Sequence, residues 1–226
     1  MKKLIAAAVA IATLAACASN DPRDRRNLRP TANPSAVLAT EIGFARTAQE
    51  KGQWTAFRQF ATRDAVLFVP EAVNAQSWLR RQADPPQAVR WQAHQVWSSC
   101  DGTLAATRGA WQRPDGSVGY FTTIWQRQDR NEYRWVVDQG DTLAEPLTAP
   151  EMIGAEVADC SGERTLGMAE PVSVELPSRG SGRSRDRTLA YEWQVGSDLS
   201  RRLKVSLMKD GQMVTVIDVS VAPPAG

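Results

Sequence analysis

Apolar residues recur at helical spacing in the first third of the chain and at alternate positions after it. Asn33 followed by Pro34 reads as a helix start, an N-cap with proline at the first helical position. Val37, Leu38, Ile42, Phe44, Ala45 and Ala48 then repeat on one side, and Lys51-Gly52 is a stop signal. A second helix carries Trp54, Phe57 and Phe60 on one face. Residues 65–69 form a short strand closed by Pro70, and a short helix over 74–82 ends before Asp84-Pro85-Pro86.

From Val89 the period becomes two. Val89, Trp91, Ala93 and Trp97 alternate with Arg90, Gln92, His94 and Ser98, and Asp101-Gly102 makes a turn. Residues 104–113, 118–127 and 132–141 continue the series between polar turns, which describes an antiparallel meander. Further on, residues 188–195, 203–208 and 213–221 read as strands, the last two joined by Lys209-Asp210-Gly211. Residues 178–187, rich in Arg, Ser and Gly, read as a flexible basic loop, and no internal repeat is apparent. The fold class is therefore α+β: N-terminal helices on a curved, cone-like antiparallel sheet, with a β-rich C-terminal extension.

The N-terminus carries an address. Met1-Lys2-Lys3 precedes thirteen uncharged residues, 4–16, whose helical rise of roughly 20 Å is too short for a bilayer core of about 30 Å. A signal peptide fits better than an anchor. Leu14-Ala15-Ala16-Cys17 resembles the lipobox of bacterial lipoproteins. That resemblance implies cleavage before Cys17, lipidation of its thiol, and, with Ala18 rather than Asp next, transport to the outer membrane facing the periplasm. Of the 27 basic and 25 acidic residues, Lys2 and Lys3 leave with the leader, so the mature chain is formally neutral. That balance excludes a dedicated nucleic-acid binder. The expected organisation is a signal peptide at 1–16, a lipidated Cys17 and tether at 17–34, a folded domain at 35–145 and the extension at 146–226.

Gly52-Gln53-Trp54-Thr55-Ala56-Phe57 with Phe60-Ala61-Thr62-Arg63-Asp64-Ala65-Val66, and Trp135-Val136-Val137-Asp138-Gln139-Gly140-Asp141, resemble the helix-to-first-strand junction and the last strand of the nuclear transport factor 2-like superfamily, which includes SnoaL-like cyclases and ketosteroid isomerases. The likeness spans residues 35–145. It implies a conical apolar pocket, enzymes that use an aspartate or an Asp/His pair, and homodimers formed through the open sheet face.

Candidate chemistry is sparse. His94 and Asp138 are the candidate acid–base groups, and Trp91, His94, Tyr120 and Trp125 the candidate pocket lining. Neither a nucleophile elbow nor a phosphate loop appears. One His and no Cys/His cluster exclude the usual zinc site, and no cofactor is implied. With Cys17 lipidated, Cys100 and Cys160 form an even pair in an oxidising compartment, which predicts a disulfide stapling the extension to the sheet. Three functions fit: a lipid-anchored module binding a small apolar ligand or a protein partner, an isomerase-, dehydratase- or hydrolase-type enzyme, and a structural envelope protein.

Overall fold

The computed structural model describes residues 31–160, 173–176 and 178–224. The leader, Cys17 and most of the tether lie outside the described residues. Helix α1 (Pro34–Lys51) begins where Asn33 accepts the Ala36 N–H at 3.0 Å and stops at Gly52, whose φ of 106° favours glycine. A β-carbon at Gly52 would also collide with the Asp84 carboxylate. That carboxylate accepts the N–H groups of Trp54 and Thr55 and so caps α2 (Gln53–Phe60) from thirty residues away.

Strand β1 (Ala61–Phe68) starts directly from α2. The hairpin strand β2 (Ala72–Asn74) and a single helical turn, α3 (Ala75–Leu79), follow. The meander comprises β3 (Arg90–Ser98), β4 (Leu104–Gln112), β5 (Val118–Arg127) and β6 (Tyr133–Leu143), and β7 (Gly154–Val157) joins its edge. The seven strands run in the order β2-β1-β6-β5-β4-β3-β7. This order of helices, first strand, short helix and meander is the one the superfamily resemblance implies. The sheet is mixed, however, because β1 lies parallel to β6 and β7 parallel to β3. Strands that share a direction need a crossover, which the long intervening chain supplies.

A second sheet is built from β8 (Ser173–Glu175), β9 (Arg179–Arg183), β10 (Leu189–Val195), β11 (Arg201–Lys209) and β12 (Gln212–Val221), in the order β12-β11-β10-β9-β8. Residues 179–183 are thus a strand, where composition predicts a flexible loop. Gly180 and Gly182 are the reason: they face Trp193 and Tyr191 across the ladder, and a β-carbon at either glycine would strike the aromatic ring.

The two faces of the first sheet are both covered. Helix residues Val37, Phe44, Ala56 and Leu79 pack with Leu67, Val96, Trp125 and Trp135 on one side. On the other, Ala106, Tyr120, Ile124 and Val137 share a core with Leu189, Tyr191, Trp193, Leu203, Val205 and Ile217 of the second sheet. The molecule is therefore layered helix, sheet, sheet, and β5 is buried along nearly its whole length.

One corner joins the two sheets. Cys100 is disulfide-bonded to Cys160, sixty residues on. Beside it lie two loops of the same local sequence, Ser99-x-Asp101-x-Thr103-Leu104-Ala105 between β3 and β4 and Ser184-x-Asp186-x-Thr188-Leu189-Ala190 between β9 and β10. Within each loop the carboxylate accepts the Ser hydroxyl, the Thr N–H and the Thr hydroxyl. Between them, Asp101 N–H donates to Asp186 at 2.7 Å and Asp186 N–H to Asp101 at 3.2 Å. Cys100 N–H donates to the Thr188 hydroxyl, and Arg185 N–H to that of Thr103. A short repeat thus exists after all, and its copies clasp each other reciprocally.

Candidate functional site

A cavity of about 470 Å³ opens between the helices and the concave side of the first sheet. Its apolar walls are Phe44, Trp54, Phe57, Phe68, Trp91, Trp111 and Phe121. Four of these rings brace one another edge to face: Phe44 lies 4.8 Å from both Phe57 and Trp91, and Trp54 lies 5.5 Å from Phe57. The indole N–H of Trp135 donates to Phe57 O and fixes α2 against β6.

Asp138 lines this cavity from β6. Its register partner Thr123 donates a 2.7 Å hydrogen bond to Oδ2, while Oδ1 accepts none among the described residues. Burial pushes the Asp138 carboxyl up to about 7; the Thr123 bond opposes this and the neighbouring charge of Glu41 adds to it. The side chain therefore exchanges its proton in the neutral range, beside an apolar space.

Glu41 lies behind the aromatic wall. It is 2% exposed, yet sits on the stripe of α1 that also carries Val37, Phe44 and Ala48. Its oxygens accept the Trp91 indole N–H at 2.8 Å, the Thr107 hydroxyl at 2.6 Å and the Trp125 indole N–H at 3.1 Å. Burial raises its carboxyl above the ordinary range, against the pull of those three donors. Glu41 is thus the fork that orients two indoles, and it also borders a smaller cleft of about 340 Å³ on the far side of Trp91.

The sequence-derived candidates separate. Trp91 and Asp138 line the cavity. Trp125 is fully buried beneath it, packed on Phe44 and bonded to Glu41. His94 does not line it: the β3–β4 register skips from Ala93 to Gln95, so His94 is the extra residue of a β-bulge, and partial burial lowers its pKa. Tyr120 does not line it either. Its side chain joins the core between the sheets and lies under the Arg108 guanidinium at 4.9 Å. Glu41 and the cavity residue Arg201 were not among the candidates. Each carries a readable signal, a charge at a position whose spacing is otherwise apolar.

A separate cleft of about 510 Å³ over β9–β11 is bordered by Glu192, Arg202 and Lys204, charges that pair with one another and with Asp218. Among the described residues no group of three His, Cys, Asp or Glu side chains could hold a metal ion, and no helix is long and apolar enough to cross a membrane.

The fold and site define a class by geometry alone: an α+β cone with an aromatic cavity, backed by a second sheet. Compared by sequence, the chain matches no protein-family model and no curated protein. Compared by structure, it is similar to a candidate aromatic ring hydroxylase from Novosphingobium aromaticivorans, at 13% identity over 50% of this chain and 90% of that one, with a TM-score of 0.37. A candidate ketosteroid isomerase from Parabacteroides distasonis is similar at 11% identity over 51% and 97%, with a TM-score of 0.41. A nuclear transport factor 2-like protein of unknown function from Mesorhizobium loti is similar at 16% identity over 51% and 97%, with a TM-score of 0.32. The activities in those descriptions belong to those proteins, since one fold hosts many chemistries.

Proposed function

We propose that this chain is a lipid-anchored module of the bacterial envelope whose cone cavity binds a small, largely apolar molecule. The observation that carries the binding role is the cavity itself, about 470 Å³ walled by seven aromatic rings with the buried carboxyl of Asp138 in its lining. The neutral fluorophore N-phenyl-1-naphthylamine serves as a probe. Titrated into the full chain at pH 7, it is expected to bind saturably at one site with micromolar affinity. Emission that rises linearly without saturating removes the cavity reading.

Anchoring rests on residues 1–17. Cells fed labelled palmitate should incorporate it into the wild-type chain and not into Cys17→Ser, and label retained by the variant overturns the assignment.

A second reading is favoured by Asp138. A carboxylate with a free oxygen and a pKa near 7 suits a general base that takes a proton from carbon beside a carbonyl. In deuterated water the wild type would then introduce deuterium into a small cyclic enone, and Asp138→Asn would not. Equal exchange by both proteins leaves the chain a binding module.

A further inference from the structure

The cavity takes part of its wall from the second sheet. Arg201 opens β11 at the same strand parity as Leu203, Val205 and Leu207, all buried against the first sheet. Alternation therefore turns Arg201 the same way, and its place at the strand's end carries it past the core to the cavity. There its Nη2 donates to Gly140 O at 2.7 Å, and its guanidinium lies 5.8 Å from the centre of the Phe68 ring.

A guanidinium offers five N–H donors. Among the described residues one of them at Arg201 is engaged by protein, and Nε is buried with no partner. Burial lowers the Arg201 pKa; Asp141 lies near enough to oppose this, yet no ion pair joins the two. By contrast its neighbour Arg202, on the opposite face of the strand, is held by both oxygens of Asp218. A cation drawn partly out of water with its donors idle is costly unless an anion meets it. The exposed Arg113, stacked on Trp111 at 4.4 Å, adds a second positive group to the lining. Of the acids on the cone side, Asp138 in the lining and Glu41 behind it are pushed by burial towards their neutral forms, while Asp141, which also lines the cavity, is the carboxylate an anion on Arg201 would have to outweigh.

We infer that the ligand is a small organic acid, its apolar body against Trp54, Phe57, Trp91 and Phe121 and its carboxylate on Arg201. The inference rests on the cavity reading proposed above and adds the ligand's charge and the residue that reads it. Arg201 is then a specificity-determining residue supplied from outside the cone.

The test uses the full chain and the neutral fluorophore already described, displaced by 2-naphthoate or by its uncharged near-isostere 2-naphthamide. In the wild type the acid should displace the probe about tenfold better than the amide, the size of one charge-assisted contact. With displacement referred to each variant's own affinity for the probe, Arg201→Gln should lose the preference, while Arg202→Gln keeps it. Equal displacement by acid and amide, or a preference that survives Arg201→Gln, overturns the organic-acid inference and leaves the cavity reading standing. Failure of the probe to bind saturably overturns both. If Arg201→Gln does not fold, the wild-type preference is read at low and high salt: a preference that weakens in high salt supports the inference, and one that is unchanged by salt defeats it.

Discussion

Asp138→Asn should flatten the dependence of stability on pH. In the folded chain the Asp138 carboxyl holds its proton up to about 7, against an ordinary value of 3.8. Below about pH 4 the group is protonated whether the chain is folded or unfolded, and its own contribution to stability is greatest. As pH rises from about 4 to about 7, only the folded state keeps the proton, so stability falls across that window and levels off above it. Each unit corresponds to about 1.4 kcal/mol, so the full loss is on the order of 4 kcal/mol. Asparagine keeps an oxygen to accept the Thr123 hydroxyl and carries no charge at any pH. Urea denaturation between pH 4 and pH 9 should show the variant gaining on the wild type from about pH 4 to about pH 7 and holding that gain above it. Parallel curves for the two proteins would refute the shifted carboxyl, and with it the second functional reading.

An effect of similar size is expected at the loop clasp. Asp101 and Asp186 are 5% and 7% exposed, and each carboxylate satisfies several donors that are themselves buried. Alanine at either position strands a serine hydroxyl, a threonine N–H and hydroxyl, and an N–H of the opposite loop. At about 1–3 kcal/mol for an orphaned buried group, each single change should cost roughly 3 kcal/mol or more. Because the loops share their cross-bonds, the double change should cost less than the two singles added. Asp198→Ala is the control: that carboxylate accepts from Ser200 in a similar local turn but is exposed, and its loss should matter little. Denaturation midpoints that leave the clasp variants level with the control would show that the reciprocal bonds contribute nothing.

How far the sequence was legible can be argued from single residues. Helix α1 was readable at both ends because Asn33, Pro34 and Gly52 act locally, through a side-chain cap, a fixed φ and a left-handed stop. Strands β4, β5, β11 and β12 were readable for the same reason, their alternation and turns being contained in ten residues. The site was less so. The bulge at His94 shifts β3 by one residue and so moves every later side chain to the other face, which no alternation count anticipates. Glu41 stands visibly on the apolar stripe of α1, but what satisfies it is not local: Trp91, Thr107 and Trp125 arrive from three distant strands. Strand β9 was hidden because its glycines acquire a purpose only when Tyr191 and Trp193 lie across them. Asp138 was legible as a candidate, whereas the role of Arg201 depends on which sheet packs where.

The clasp has a consequence for heredity. Its two loops are separated by more than eighty residues, yet each supplies the carboxylate that the other's backbone needs. Such loops cannot drift independently: an inserted residue, or a lost aspartate, in one leaves unpaired groups in both. The gene segments encoding the cone and the second sheet are in this respect one unit of inheritance, and a recombination that brought a foreign second sheet onto this cone would have to bring a matching Ser-x-Asp-x-Thr loop with it.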